Sequence, residues 1–360
     1  MRAYLDHNAT SPLRPKVKAA LLAAMDQSGN ASSIHTEGRA ARKVMDDARE
    51  TLGFALGCLP QMITFTSGGT EANNMALAGV AVERLLVSAI EHPSVLEAAK
   101  ASGKTVELIP VDSEGRIVPD ALDRMLAGPR ALVSVMLANN ETGVIQDMGE
   151  ISRRVSTAGH LLHVDAVQAF KKMPVNFGLI GCDMMTVCAH KAGGPAGIGA
   201  LIIRDGLAVA PLLFGGGQEL RRRAGTENIA AIAGFAALAQ DGDLDMKKFR
   251  DALERTLDDA HIFSSGVPRL SNTSCFALPG LMAESLLMNY DLGGIAVSSG
   301  SACSSGKVRQ SHVLAAMGVA PADAQGAIRV SLGWNSTEQD IEHFIAVTEK
   351  IRARAKSKAA

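Results

Sequence analysis

This chain has few aromatic residues and no clear excess of positive or negative charge. Phenylalanine, tyrosine and tryptophan make up only 4% of its 360 residues, which argues against the aromatic platforms that stack on nucleic-acid bases. The 36 lysines and arginines nearly balance the 37 aspartates and glutamates, so the net charge is −1. No overall field draws such a protein to nucleic acid or to a membrane surface. We therefore expect neither as a partner.

Long apolar runs and paired cysteines are missing as well. No run approaches the roughly 20 apolar residues that cross a bilayer. The first residues, MRAYLDHNAT, contain Asp6 and lack the apolar core of a secretory signal, so we expect a cytoplasmic protein. The five cysteines are odd in number and form no C-x-x-C pair. We expect free thiols rather than a disulfide framework, and no metal site.

The order of the remaining segments predicts an α/β fold with two domains. Short β-rich runs alternate with helical segments, which is typical of a mostly parallel sheet with helices on both faces. Strands are predicted at 62–66, 85–90, 106–111, 131–137, 161–164, 184–187 and 198–203. Beyond residue 226 the pattern changes to a small-residue helix, a charged helix over 246–260 and shorter elements that include a strand over 295–298. The change places a domain boundary at 241–245.

Polar side chains follow two buried runs in the centre of the chain. The first run ends in Asp165 and Gln168, and the second ends in His190 and Lys191. Because ligands of α/β sheets bind where parallel strands end, these groups are expected at one edge. A carboxylate for a ring nitrogen and an amine for a Schiff base suit pyridoxal phosphate. Solvated loop charges or a simple ion pair are the alternative.

Other predicted strands end in polar or flexible residues too. The segment Ser67-Gly68-Gly69-Thr70 could present backbone N–H groups to an anion at a helix start, or it could be a plain turn with Thr70 as the N-cap. No lysine of a nucleotide P-loop follows. Asn140 offers an amide after another strand.

His92 lies between a strand and Pro93. Its imidazole could lie flat on a planar ring or relay protons. It could equally be a helix-start histidine with Pro93 at the first helical position.

Two residues near the C-terminus have the chemistry of a nucleophile and an anion binder. Small, flexible residues surround Cys303 in VSSGSACSSGKVRQ, which predicts an exposed thiol that can travel to a substrate. Arg329 interrupts the apolar run AIRVSLG. A buried arginine needs a carboxylate partner, and either a substrate or an internal aspartate or glutamate could supply it.

Taken together, these segments resemble the cysteine desulfurases, a branch of the class-V aminotransferases that use pyridoxal phosphate. The blocks run in the family's order almost from end to end: YLDHNAT, TSGGTEANN, NNETGVIQD, HVDAVQ, AHK, RAGTEN, SSGSACSSG and IRVSLG. The resemblance implies an aspartate-aminotransferase-like fold of type I. It further implies a large cofactor-binding domain over 13–243 and a smaller α+β domain, formed by 1–12 and 244–360, that carries the cysteine loop.

The resemblance also implies how the cofactor is held. Lys191 is expected to form the Schiff base, Asp165 to pair with the ring nitrogen and His92 to stack on the ring. Gln168 and Asn140 are expected near the phenolic oxygen of the ring.

The phosphate of the cofactor is expected on Gly69, Thr70 and His190. Thr226 is expected to reach the phosphate of a neighbouring subunit, which implies a homodimer with shared sites. One departure from the family concerns this site. The usual serine before Gly-His-Lys is replaced by Cys188, a weaker hydrogen-bonding group.

The implied reaction takes sulfur from L-cysteine and leaves L-alanine. Arg329 and Asn140 are expected to hold the substrate carboxylate, and Cys303 to accept the sulfur as a persulfide. The surroundings of Cys303 resemble the subgroup with an extended loop (group I), and an iron–sulfur scaffold or another acceptor protein is the expected recipient.

Three other readings remain open. A selenocysteine lyase or a small-substrate aminotransferase of the same fold needs Lys191 and Asp165 but no mobile cysteine. A non-catalytic sulfur carrier needs neither Lys191 nor Asp165.

Overall fold

The computed structural model describes residues 2–299 and 310–359, the side chains of 356, 358 and 359 excepted. The strands are β1 Ala3–Tyr4, β2 Ile63–Thr66, β3 Arg84–Ser88, β4 Thr105–Ile109, β5 Leu132–Met136, β6 Leu161–Asp165, β7 Met184–Cys188, β8 Gly199–Ile203, β9 His261–Ile262, β10 Thr273–Ala277, β11 Ile295–Ala296, β12 Ser298–Ser299 and β13 Ala327–Ser331. The helices are α1 Pro15–Met25, α2 Thr36–Leu56, α3 Gly69–Gly79, α4 Pro93–Ala101, α5 Pro119–Leu126, α6 Met148–Thr157, α7 Phe177–Ile180, α8 Ile229–Ala239, α9 Lys247–Glu254, α10 Ala283–Leu292, α11 His312–Ala316, α12 Pro321–Gln325 and α13 Glu338–Ala359.

The central sheet is mostly parallel. Among the residues described, its order is β2-β8-β7-β6-β5-β3-β4, and β7, β6, β5, β3 and β4 run parallel to one another. Strand β8 is antiparallel to both β7 and β2, so β2 runs in the same direction as the parallel strands. The carboxyl ends of β2, β3, β5, β6 and β7 therefore meet at one edge, and the predicted α/β class is confirmed.

Alternation along the strands distributes apolar side chains to the two faces of this sheet. On β3, Leu86 packs in a cluster with α2, α5, α6 and α8, whereas Leu85 and Val87 pack on the opposite face with α3 and α4. All three side chains are fully buried. Helices cover both faces because each face presents a continuous apolar surface.

The C-terminal third builds a second, antiparallel sheet with its own core. Strands β12, β13, β10 and β9 pair in that order, and β1 pairs with β11. Leu5 from the N-terminus packs in one cluster with Phe276, Tyr290 and Phe344. The N-terminal residues thus share the core of the C-terminal elements, while the division at residues 13 and 243 stays a prediction.

Two predicted elements in this region are wrong in detail. The strand expected over 295–298 is two short strands, because β11 pairs with β1 and β12 pairs with β13. The helix expected over 246–260 ends at Glu254. After it, Asp259 pairs with Arg352 of α13, so this part of the chain contacts another helix instead of extending its own.

Candidate active site

The carboxyl edge of the central sheet gathers the residues that the sequence singled out. Asp165 ends β6, Lys191 lies three residues beyond β7, and His92 lies between β3 and α4. The charges of Asp165 and Lys191 both act on the pKa of His92, which desolvation lowers most strongly. Asn140 follows β5, and Gly69 begins α3 directly after β2. The predicted meeting of these groups at one edge is present in the structure.

Asp165 is a buried carboxylate whose orientation is fixed on both oxygens. Oδ1 accepts a hydrogen bond from the backbone N–H of Val167 at 2.9 Å, and Oδ2 accepts one from Nδ2 of Asn73 at 2.8 Å. Burial raises the pKa of Asp165, while these two hydrogen bonds oppose the shift. Each oxygen keeps a further lone pair, so the group can bind one more donor.

Asn73 is a site residue that the sequence analysis missed. It lies on α3 within the TEANN segment and is buried. Its Nδ2 also donates to Ser94 Oγ at 2.9 Å, whereas its Oδ1 is buried without a partner among the residues described. An asparagine four positions after Gly69 on the helix that starts at the site was the available signal.

Lys191 presents its amine without an ion-pair partner in the described part of the chain. Nζ donates one hydrogen bond, to the backbone carbonyl of Ala9 at 2.8 Å. Burial lowers the pKa of this amine, which increases the fraction of the nucleophilic neutral form. The alternative of a simple Asp165–Lys191 ion pair is therefore wrong.

His92 has the geometry of the helix-start alternative. It is the N-cap of α4, its Nδ1 accepts from the Ser94 N–H at 3.1 Å, and Pro93 follows at the first helical position. The residue as a whole is nonetheless exposed. The cap fixes Nδ1, and the exposure of the residue leaves room for a ligand.

Its neighbour Glu91 is a fully buried carboxyl group that the sequence analysis did not consider. Oε1 accepts from the Met136 N–H at 2.6 Å, and Oε2 has no partner among the residues described. Burial, assisted by the charge of Asp165, raises the pKa of Glu91 well above its usual range. The protonated form of this carboxyl group is thus favoured by its surroundings.

The start of α3 is suited to an anion. Gly68, the N-cap, supplies no side-chain cap, and Thr70 is exposed in the first turn. A Cβ on Gly69 would lie 2.8 Å from Cγ2 of Val167, so only glycine permits this approach of α3 to the segment after β6. Unsatisfied N–H groups and the helix dipole favour a phosphate here.

His190 and Thr226 have different surroundings within the chain. Nδ1 of His190 contacts Thr10 Oγ1 at 3.3 Å, and burial lowers the pKa of His190 to about 4, so its ring is neutral. Thr226 is exposed and lines a cavity of about 220 Å³ with Ser67 and Gly197. Cys188 is buried at the end of β7, and burial raises its pKa to about 11.

Arg329 pairs with a carboxylate inside the protein. Nη2 contacts Asp6 Oδ1 at 2.7 Å, and Nη1 donates to the backbone carbonyl of Asn140 at 3.0 Å. The internal partner that the sequence left as an alternative is thus Asp6. The buried Nε of Arg329 has no partner in the described chain, and the side-chain amide of Asn140 makes no hydrogen bond there. Both could bind a further anion.

Cys303 lies outside the described residues. The residues that follow this segment are bound to the carboxyl edge: Ser311 Oγ donates to Glu141, and Nε2 of His312 donates to the backbone carbonyl of Glu91 at 2.8 Å. The other four cysteines, Cys58, Cys182, Cys188 and Cys275, are free thiols as expected.

The donor set fits pyridoxal phosphate: a helix start for the phosphate, an oriented carboxylate for the ring nitrogen and an unpaired amine. The sequence profile of the class-V aminotransferases matches residues 3–344. The chain belongs to this family. Its members use pyridoxal phosphate, and the resemblance to them and to the cysteine desulfurases is confirmed.

Known proteins resemble the chain along almost its whole length. A protein named cysteine desulfurase IscS from Dictyoglomus turgidum is 39% identical, with 97% of this chain and 94% of the relative covered. An IscS-like cysteine desulfurase from Mycobacterium tuberculosis is 38% identical over 98% and 97% of the two chains. The solved structure of a NifS-like protein from Rickettsia africae superimposes with a TM-score of 0.91 at 36% identity, covering 98% of this chain and all of that one.

In the described part of the chain no helix is both long and apolar enough to cross a bilayer.

Proposed function

We propose that this protein is a cysteine desulfurase that converts L-cysteine to L-alanine and holds the released sulfur as a persulfide on Cys303. The observation that carries the proposal is that Asp165 and Lys191 lie together at the carboxyl edge of the sheet. One is a fixed, buried carboxylate, and the other is an amine whose only partner in the described chain is a backbone carbonyl. The relatives named cysteine desulfurase support this choice of activity.

Pyridoxal phosphate supplies an electron-accepting ring conjugated to the amino group of the substrate. Asp165 holds a proton on the ring nitrogen, and Asn73 keeps the carboxylate in place for it. Gly69, Thr70 and His190 bind the phosphate, while His92 covers one face of the ring. Gln168 and Asn140 lie near the phenolic oxygen.

The substrate is held through its carboxylate by Arg329 and Asn140. Nε of Arg329 and the side-chain amide of Asn140, which have no hydrogen-bond partner among the described residues, supply donors for it. Burial lowers the pKa of Lys191, which favours the neutral amine that takes the proton from the α-carbon.

Cys303 acts as a thiolate on the sulfur of the substrate. A sulfur–sulfur bond forms, the carbon–sulfur bond breaks, and the carbon gains a proton, so that cysteine and a thiol become alanine and a persulfide. No external oxidant or reductant is needed. This role rests on the sequence around Cys303.

Several finer assignments belong to the same proposal. The enzyme is a cytoplasmic homodimer in which Thr226 reaches the phosphate of the partner's cofactor. Its large domain comprises 13–243, and its small domain comprises 1–12 and 244–360. The persulfide passes to an acceptor protein such as an iron–sulfur scaffold.

The test is incubation of the loaded enzyme with L-cysteine, followed by alanine quantification and mass spectrometry of the Cys303 peptide. We expect alanine together with a peptide heavier by one sulfur atom. Cys303→Ala keeps the absorption of the bound cofactor but yields neither product, whereas Lys191→Ala loses the borohydride-reducible attachment of the cofactor. Wild-type rates of desulfuration by Cys303→Ala would exclude the proposed nucleophile, and a protein that exchanges amino groups instead would be an aminotransferase.

A further inference from the structure

Two adjacent lysines, Lys171 and Lys172, have opposite surroundings. Both are buried. Nζ of Lys171 lies 3.3 Å from a carboxylate oxygen of Asp243. Lys172 has no carboxylate within ion-pair distance in the described chain, and its Nζ donates to Oδ1 of Asn8 at 2.8 Å and to Oε1 of Gln168. A fully buried amine that binds only amide oxygens is expensive to maintain and invites a functional explanation.

We propose that Lys172 is a positioning residue that fixes the side-chain amide of Gln168 as a hydrogen-bond donor to the phenolic oxygen of the cofactor. This inference rests on the proposed function, in which Gln168 lies beside that oxygen. The proposal concerns which end of the Gln168 amide, oxygen or nitrogen, faces the ligand.

The orientation of the amide follows from what its neighbours can do. Nζ of Lys172 donates to Oε1 of Gln168, so the oxygen of the amide faces Lys172. The nitrogen faces the other way, where Nε2 donates to the backbone carbonyl of Asn8 at 2.9 Å. A backbone carbonyl only accepts, so the contact with Asn8 requires this orientation, and the contact with Lys172 agrees with it.

One N–H of Gln168 remains for a ligand. Its nitrogen carries two hydrogens, and the structure shows one partner for them among the residues described. The second N–H is therefore free to donate to an oxygen anion. Loss of Lys172 leaves only the Asn8 carbonyl to hold this orientation, so the amide rotates more readily and can present its oxygen, which would repel a phenolate.

The Asn8 amide is fixed in the same way, which makes the arrangement rigid. Its Oδ1 accepts from Lys172 and from Nδ2 of Asn272 at 3.2 Å, while its Nδ2 donates to Oγ1 of Thr273 at 2.9 Å and to the carbonyl of Asn140 at 3.3 Å. Lys172 also lines one small cavity together with Lys191. The amides of Gln168 and Asn8, which bind Lys172, thus each have a fixed orientation.

The experiment is a pH titration of the visible absorption of the bound cofactor in the wild type, Lys172→Met and Lys171→Met. A donor to the phenolic oxygen stabilises its ionised form, so loss of the donor raises the pH at which the absorption changes. We expect an upward shift of roughly half a pH unit to one unit in Lys172→Met. Lys171→Met, the matched control, removes the neighbouring buried amine and leaves the titration within about 0.2 unit of the wild type.

A double variant distinguishes action through Gln168 from a direct effect of the lysine charge. In the Gln168→Ala background, Lys172→Met is expected to cause no further shift of the titration, because the Gln168 amide through which Lys172 acts is already absent. Equal shifts in both backgrounds would overturn the proposal, and so would an unchanged titration in Lys172→Met. If the wild type bound no pyridoxal phosphate, the proposed function would fail instead, which is a separate result.

Neutron diffraction from deuterated wild-type crystals tests the orientation without any substitution, and therefore also covers a Lys172→Met variant that does not fold. The deuterons of Gln168 should lie on the side away from Lys172. Deuterons of Gln168 pointing at Lys172 would refute the inference.

Discussion

A methyl group added at Gly69 should weaken cofactor binding through a steric contact with Val167, and shortening Val167 should relieve that contact. In Gly69→Ala the new Cβ would lie 2.8 Å from Cγ2 of Val167, and the two groups must separate by about 0.7 Å to reach ordinary contact. Overpacking of this kind costs about 1–3 kcal/mol. The movement displaces the start of α3, where the phosphate is proposed to bind, or Val167, whose N–H holds Asp165.

About 1.4 kcal/mol of this strain corresponds to a tenfold change in affinity. We therefore expect the dissociation constant of pyridoxal phosphate, measured by fluorescence titration of the apoenzyme, to rise by roughly tenfold in Gly69→Ala. Val167→Ala removes the methyl groups that are in the way. The double variant Gly69→Ala, Val167→Ala should return to within about threefold of the wild type, and Val167→Ala alone should change little.

The double variant decides the reasoning. If it binds the cofactor as weakly as Gly69→Ala alone, contact with Val167 is not the cause of the loss. A dissociation constant unchanged in Gly69→Ala would show that α3 adjusts without cost and that the close approach has no role in binding.

Two further predictions concern stability. Burial raises the pKa of Glu141 from 4.5 to about 7, so between these pH values the folded protein keeps a proton that the unfolded chain releases, and stability falls as the pH rises through that range. In urea titrations, the unfolding free energy of Glu141→Gln should therefore increase by up to about 3 kcal/mol relative to that of the wild type between pH 5 and pH 8. A difference in unfolding free energy that does not change with pH would contradict the raised pKa. Glu219→Gln leaves buried Arg49 without its charged partner and should cost about 3 kcal/mol in unfolding free energy. Asp47→Asn, which breaks the exposed pair with Lys43 on the same helix, should cost less than about 0.5 kcal/mol, and equal losses in the two variants would show that burial of the pair does not matter.

The carboxyl-edge residues were predictable because strand ends are visible in sequence. Asp165 and Lys191 follow short, mostly apolar runs, and parallel strands bring such ends together whatever the details of the helices. The anion-binding start of α3 was visible for a similar reason, since glycines there separate a strand from a helix.

The partners of these residues were not predictable. The sequence analysis did not single out Lys172, and its burial becomes visible only in the structure, where its amine contacts Asn8 near the N-terminus. The carboxylate partner of Arg329 was expected in kind, but its identity as Asp6 depends on a contact between residues 323 positions apart. Local patterns carry no information on contacts of that range.

Position-specific details of the second sheet were missed for a related reason. The chain changes partner between β11, which pairs with β1, and β12, which pairs with β13, and no local sequence signal marks this change. For His92 the sequence offered two roles, and the structure contains the helix cap while leaving the residue as a whole exposed.

The contacts of the N-terminal residues determine when the site can form during synthesis. Asp6, Asn8 and Ala9 are translated long before Arg329, Lys172 and Lys191, the residues that they contact. Closing a loop of more than three hundred residues is slow compared with forming local helices. A nascent chain therefore cannot complete the proposed cofactor pocket until β13 has been translated.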